Sequence, residues 1–229
     1  MEMNFRIIPS IVTTTDKWRE RIEETKKLQI KELAFFPTCL SGPEREEAYK
    51  LLESNGIKSI PFVHLKNDMS PEELDYLIRV FGTRKFNIHA QKSSTYKLVF
   101  DLSKYQKMIF LENSTFPWED TLNDWAGICL DVSHLESEQL RNGEVLADWY
   151  SGLEKHPVGA WHVSAIYDPP ISYPGYDKLH YDVHRYDNLK RFDYVQKYRK
   201  FLAEIIALEL ENTIEEQLEA KKYLERMFN

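Results

Sequence analysis

Hydrophobic residues fall in eight short runs along the chain, separated by longer segments with the spacing of amphipathic helices. Short apolar runs bounded by polar residues are typical of buried strands, so the pattern predicts eight strands, most of them followed by a helix. The predicted strands are Arg6 to Val12, Glu32 to Thr38, Ser59 to Leu65, Lys85 to Ala90, Met108 to Asn113, Gly127 to Ser133, Val158 to Ala165 and Ile205 to Asn212.

The connecting segments carry helix signals. Pro43 and Glu44 open one predicted helix, and the capping-box spacing of Ser70 and Glu73 opens another. Further helices are predicted over residues 17–29, 93–105, 117–125, 136–155, 186–202 and 213–227, the last with a Lys/Glu-rich solvated face. Residues 166–185, rich in Pro, Tyr and Asp, are expected to form a long loop that either covers a substrate or packs over the rim.

Eight strand-helix units in a chain of 229 residues predict the α/β class and a single (β/α)8 TIM barrel covering residues 1–229. The competing open sheet usually has a Gly-rich first turn, whereas Thr13, Thr14 and Thr15 follow the first strand here.

Chemistry-bearing side chains stand at the ends of six consecutive predicted strands. In a barrel of parallel strands these ends meet at one mouth, where active sites lie. Strand alternation also turns Cys129 and Asp131 inward and Ile128 and Leu130 towards the helices. The residues concerned are His64, His89, Glu112, Asp131 with His134, His162, and Glu209 or Glu211, with Asp182 and His184 in the long loop.

Carboxylates and imidazoles that converge in a dry cavity are costly unless divalent cations bind them. A mixed His/Asp/Glu set suits zinc, and also manganese or iron, and one to three ions are expected. Of the two acidic candidates on the last strand we prefer Glu211, because it lies nearer the mouth.

Several of these segments resemble the metal-binding segments of endonuclease IV, which belongs to the xylose-isomerase-like superfamily of TIM barrels. They are Leu-Glu-Asn-Ser at 111–114, Gly-Ile-Cys-Leu-Asp-Val-Ser-His at 127–134, Trp-His at 161–162, Asp-Val-His at 182–184 and Leu-Glu-Asn at 210–212. The resemblance implies a phosphoester hydrolase that acts through metal-bound hydroxide, with Glu112 bridging ions. It implies nine metal ligands: His64, His89, Glu112, Asp131, His134, His162, Asp182, His184 and Glu211.

Sugar isomerases and epimerases of the same superfamily imply a smaller site. In that alternative Glu112, Asp131, His162 and Glu211 hold one metal, and Glu112 and Glu211 are catalytic groups that transfer protons. The additional histidines favour the hydrolase, since a one-metal site does not require them. A third hypothesis is a barrel that keeps its ligands but serves only as a binding module.

The composition of the chain restricts the kinds of substrate and partner that are expected. The formal charge of −7 disfavours DNA, and the loop from Cys39 to Pro43 is too short to insert a DNA-probing arm. Val183 stands where the endonucleases carry Arg, so a small phosphoester or a sugar-like substrate is expected. With no apolar leader, no membrane-length segment, and Cys39 and Cys129 as free thiols, we expect a cytoplasmic protein.

Overall fold

Parallel strands form one continuous sheet that closes into a barrel. The structure is a computed structural model that describes residues 5–90, 96–114, 118, 120–141, 146–173 and 178–228. Around the barrel the strand order is β1-β11-β8-β7-β6-β5-β4-β3-β2. The strands are β1 Arg6–Ile8, β2 Ser10–Val12, β3 Ala34–Phe36, β4 Phe62–His64, β5 Lys85–His89, β6 Ile109–Glu112, β7 Ile128–Asp131, β8 Val158–Val163, β9 Ala165–Ser172, β10 Leu179–Val183 and β11 Ile205–Leu208.

The first strand is interrupted at Pro9 and supplies both edges that close the barrel. Before the proline, β1 pairs with β11, and after it β2 pairs with β3. Proline has no N–H to give to a ladder, which makes it a natural break point. Its carbonyl still accepts a hydrogen bond from the Ala34 N–H at 2.8 Å. The predicted α/β barrel is therefore confirmed, with its first strand in two halves.

Helices lie outside the sheet, and several of them differ from the predicted ones. The α-helices are α1 Trp18–Lys27, α2 Gly42–Ser54, α3 Pro71–Phe81, α4 Val132–Arg141, α5 Leu146–Lys155 and α6 Ile214–Phe228. Residues 93–95, 117, 119 and 142–145 of the predicted helices lie outside the described residues. The described parts of the predicted helices at 93–105, 117–125 and 186–202 contain 3-10 helices instead, at Ser103–Met108, Asp120–Asp124 and Leu189–Phe201. In the last, Phe192, Val195 and Tyr198 are buried at intervals of three residues, which suits three residues per turn.

Most of the described residues in the long loop predicted at 166–185 belong to two paired strands, and residues 174–177 lie outside the described residues. Strands β9 and β10 pair antiparallel, with Val183 opposite Ala165 and Leu179 opposite Ser172. The hairpin stands outside the barrel sheet and packs against α4. Strand β10 and the residue after it place Asp182 and His184 at the mouth.

Apolar side chains form two layers. The larger lies between strands and helices and includes Ile128 and Leu130, as strand alternation predicts. The smaller fills the barrel interior and includes Phe36, Phe62 and Cys129. Both cysteines are free thiols, Cys129 buried and Cys39 exposed. No helix among the described residues is both long and apolar enough to cross a membrane.

Charged side chains cover the end of the barrel opposite the mouth. Arg6 pairs with Glu32 at 3.1 Å and Lys85 pairs with Glu204 at 3.1 Å. The Lys85 ammonium also donates to the Gly159 carbonyl at 2.7 Å. These residues stand at or just before the starts of strands, so they close the base.

Candidate metal centre

Four consecutive barrel strands end on a potential ligand. The final residues of β4, β5, β6 and β7 are His64, His89, Glu112 and Asp131. His162 lies one residue before the end of β8, and Asp131 and His162 are register partners. Parallel strands with this stagger bring these side chains to one mouth, as the sequence predicts.

Glu112 lies at the centre of the cluster, and its two oxygens face different neighbours. Oε2 lies 3.0 Å from His64 Nε2 and 3.5 Å from His162 Nδ1, and it accepts a hydrogen bond from Asn87 Nδ2 at 2.5 Å. Oε1 lies 3.8 Å from both His89 Nε2 and His134 Nδ1. One buried carboxylate therefore links two groups of imidazoles.

Asp131 has a structural role and also faces the cluster. Its Oδ1 accepts a hydrogen bond from the His134 N–H at 2.8 Å, which satisfies a donor at the start of α4. Its Oδ2 lies 3.7 Å from His134 Nδ1 and 3.9 Å from His162 Nδ1. Asp131 can therefore cap α4 and bind a cation at the same time, since each role uses a different oxygen.

His162 is fully buried beneath the cluster and is surrounded by carboxylates. Its Nδ1 lies 3.3 Å from Glu209 Oε2, in addition to the Glu112 and Asp131 contacts. The ring packs edge-on against Phe36 and Phe62 at centroid distances of 5.0 and 5.3 Å. Neither ring nitrogen has a hydrogen-bond partner of suitable geometry. A buried imidazole of this kind needs a partner, and a cation among the three carboxylates would provide one.

The β9–β10 hairpin adds ligands from one side. Asp182 Oδ2 lies 3.5 Å from His134 Nε2, and its Oδ1 accepts a hydrogen bond from the Ser137 hydroxyl at 2.8 Å. His184 Nε2 lies 3.5 Å from Glu209 Oε1. Both predicted residues therefore lie at the edge of the cluster.

The preference for Glu211 over Glu209 does not agree with the structure. Glu209 reaches His162 and His184, whereas the Glu211 carboxylate accepts a hydrogen bond from the Thr14 hydroxyl. The reason is that β11 ends at Leu208, after which the two-residue alternation no longer applies. Glu209 still donates its N–H to Val163 O at 2.9 Å, but Glu211 bonds instead to His184 O at 2.6 Å. Glu209 therefore replaces Glu211 as the ligand candidate.

Backbone carbonyls orient two of the imidazoles. His64 Nδ1 lies 3.0 Å from Leu65 O, and His134 Nδ1 lies 2.8 Å from Asn113 O. In each pair the ring N–H must donate to the carbonyl, which leaves Nε2 as the nitrogen available to a metal. Asn113 also ties the ends of β6 and β7 together, since its side chain bonds the Asp131 N–H and C=O at 2.7 and 2.8 Å.

The electrostatics show an excess of buried negative charge. Burial raises the pKa of Glu112, but the imidazoles of His162, His89 and His64 outweigh it and hold that pKa well below its usual range. Burial alone would lower the pKa of His134, yet Asp131, Asp182 and Glu112 raise it to about 10. The His134 imidazole therefore carries a proton in the metal-free protein. A bound cation would take the place of that proton, because a metal-binding imidazole must be deprotonated.

The residues fit divalent cations. Among the described residues, three groups each place three ligand atoms within 4.8 Å of one another. They are His64 with His89 and Glu112, Glu112 with Asp131 and His134, and Asp131 with His162 and Glu209. Nitrogen and oxygen donors without thiolate suit zinc, manganese or iron. A donor set of this kind at a barrel mouth supports a metal-dependent enzyme.

The cluster opens into a cavity of about 370 Å³, whose lining also includes residues outside the predicted metal-ligand set. Arg141, at the end of α4, and Tyr96 line it, as do Tyr173 and His180 of the hairpin. Tyr176, predicted as part of the same aromatic segment, lies outside the described residues. Arg141 carries no motif signal, because an arginine near a helix end is ordinary in sequence.

The chain matches no protein-family profile and no curated protein sequence at a significant level. Solved structures do resemble it. A xylose isomerase domain containing protein from Salmonella typhimurium LT2 is 13% identical, with a TM-score of 0.48 over 97% of this chain and 95% of that chain. A xylose isomerase domain protein from Alicyclobacillus acidocaldarius subsp. acidocaldarius is 14% identical, with a TM-score of 0.46 over 97% and 98%.

An HpcH/HpaI aldolase from Desulfitobacterium hafniense DCB-2 is 8% identical, with a TM-score of 0.42 over 96% of this chain and 92% of that chain. At these identities the likeness concerns the course of the backbone. The function proposed below is therefore argued from this chain's own residues.

Proposed function

We propose that the protein is a divalent-metal-dependent hydrolase of a phosphoester, with a site for two or three ions at the barrel mouth. The position of Glu112 carries the proposal. One of its oxygens faces His64 and His162 and the other faces His89. A carboxylate with donors on each oxygen is suited to bridging two cations. Asp131 is likewise shared between two of the ligand groups.

Ions held there would supply Lewis-acid activation of a water molecule and would neutralise charge on the phosphoryl oxygens. The chain's own residues prepare the site for this chemistry. Carbonyls fix His64 and His134 with Nε2 available, and Asn87 holds the bridging carboxylate. Phe36 and Phe62 exclude water from beneath His162, which strengthens electrostatic interactions above it.

The expected substrate is small. A cavity of about 370 Å³ lies within the range of small-molecule sites, and a formal charge of −7 opposes binding along a nucleic-acid duplex. We therefore propose a small phosphoester, with DNA as the disfavoured substrate.

A sugar isomerase or epimerase is the second candidate, favoured by the surroundings of His162. Three carboxylates lie 3.3–3.9 Å from its Nδ1, so Glu112, Asp131, Glu209 and His162 could hold a single ion. Glu112 and Glu209, in place of Glu211, would then transfer protons. That site has no need of His89.

Metal counting on the purified protein separates these functions. After growth with zinc and manganese, elemental analysis should find roughly two to three ions per chain for the hydrolase. A single ion favours the isomerase, and no ion leaves only a non-catalytic barrel. Glu112→Gln should lower the count by more than one ion, because one residue serves two groups.

Activity provides the second test. The loaded protein should hydrolyse bis(4-nitrophenyl) phosphate, and His89→Ala should abolish that turnover. His156→Ala is the matched control, because His156 follows α5 at the opposite end of the barrel. Retention of full phosphodiesterase activity by His89→Ala would contradict the multi-metal proposal.

A further inference from the structure

One permanent cation borders the metal cluster. Among the cavity-lining side chains that the structure describes, Arg141 is the only Lys or Arg. The same cavity is lined by the carboxylates of Glu112, Glu138, Asp182 and Glu209. An arginine in such surroundings has two possible roles. It balances the charge of the carboxylates, or it also binds an anionic ligand.

The contacts of Arg141 leave it available for a ligand. Its Nη1 donates to Glu138 Oε1 at 3.4 Å, and its Nη2 lies 3.6 Å from Asp182 Oδ1. Both distances are at or beyond the outer limit for a hydrogen bond, whereas close Arg–carboxylate pairs lie near 2.7–2.9 Å. The side chain is 37% exposed, so the pairing does not bury the guanidinium.

Asp182 places Arg141 next to the proposed ions. One oxygen of that carboxylate faces Arg141 and the other lies 3.5 Å from His134 Nε2. The guanidinium and a metal ligand are therefore separated by a single carboxylate group. A tetrahedral anion could bind the guanidinium through some oxygens and an ion through another.

We infer that Arg141 binds the non-bridging oxygens of the substrate's phosphate group on the hairpin side of the metal centre. The inference rests on the proposed function and specifies its substrate as one that presents a phosphate to this corner. The planar fork of an arginine matches phosphate geometry, which a lysine cannot reproduce.

Among the described residues that line the adjoining cavity, Lys66 is an alternative cation. It lines a smaller adjoining cavity with His64 and His89, but its ammonium donates to the Leu40 carbonyl at 2.8 Å. That hydrogen bond occupies the Lys66 ammonium, so we assign phosphate binding to Arg141.

The test is calorimetric titration of inorganic phosphate into the full chain, with and without bound zinc, alongside elemental analysis. Arg141→Gln should weaken phosphate binding about tenfold or more, the loss expected for a charge-assisted fork, while the metal count stays that of the parent. The phosphate affinity of Arg141→Lys should lie between those of the parent and Arg141→Gln. The matched control is Arg191→Gln, since Arg191 is 31% exposed and pairs with Asp187 at 3.1 Å outside the cavity.

Phosphate affinity of Arg141→Gln within twofold of the parent overturns the inference and leaves the hydrolase proposal standing. Absence of phosphate binding by the parent protein also overturns it, whatever the metal count. If the parent binds no metal but shows Arg141-dependent phosphate binding, the inference stands and the proposed function fails.

Discussion

Gln217 holds the seam at which the barrel closes. It is fully buried on α6, and its Oε1 accepts a hydrogen bond from the Ser10 N–H at 2.7 Å. Its Nε2 lies 3.1 Å from Ser10 O, 3.0 Å from Leu210 O and 3.1 Å from Asn212 O. Beyond the break at Pro9 the first strand no longer pairs with β11, so this side chain replaces missing ladder bonds.

Gln217→Met tests this role, because it keeps the volume of the side chain and removes its hydrogen bonds. The orphaned Ser10 N–H costs about 1–3 kcal/mol, and the losses at the carbonyls add about 0.5–1.5 kcal/mol each. We expect the free energy of unfolding to fall by about 3–5 kcal/mol, a large share of the ~5–15 kcal/mol typical of a domain. Gln217→Ala should cost more, since it also leaves a cavity.

Urea unfolding followed by far-ultraviolet circular dichroism measures the change, with metal content held constant because bound ions add stability. The melting temperature should fall by roughly 6–20 °C for a chain of this size. Gln196→Ala is the control, since Gln196 is exposed and makes one hydrogen bond of 3.2 Å to Met227 O. A Gln217→Met protein within 1 kcal/mol of the parent would refute the seam argument.

Three further changes test other features. Glu209→Gln should remove bound metal while Glu211→Gln retains it, as elemental analysis would reveal; equal loss in both would contradict the Glu209 assignment. Gly159→Ala places a Cβ 2.0 Å from Phe110 Cε1 and should cost about 1–3 kcal/mol in urea unfolding, unless the ring moves freely. The hydrogen bond from Lys85 lowers the pKa of Glu204. The ionised Glu204 carboxylate therefore stabilises the fold at pH values above its ordinary pKa, and this stabilisation is lost as the pH falls through the lowered pKa. Glu204→Gln should make the free energy of unfolding less dependent on acid pH, as measured by urea unfolding of the metal-free protein.

The sequence predicts the barrel and most of the site because both depend on local pattern. Alternation within β6 and β7 decides that Glu112 and Asp131 face inward, and parallel strands place those ends together. The residue types at the strand ends then identify metal chemistry. None of this requires knowledge of distant contacts.

What the sequence does not predict depends on where strands stop and on what packs across the barrel. The Glu209 assignment requires the end of β11, and the motif similarity of Glu112-Asn113 to Glu211-Asn212 points to the other residue. The sequence predicts a solvated face on the final helix. Gln217 in that helix is nevertheless buried, because it contacts Ser10, some 200 residues away in the chain. The hairpin arises from pairing between β9 and β10, which a Pro-rich segment does not signal.

The closed base determines by which end of the barrel small molecules enter and leave. Arg6, Glu32, Lys85 and Glu204 cover one end, and Phe36 and Phe62 fill the channel above them. Under the proposed function, ions, substrate and product would therefore share one passage. A molecule occupying the mouth would trap the ions beneath it, so chelators should strip metal more slowly from a protein saturated with ligand than from an empty one.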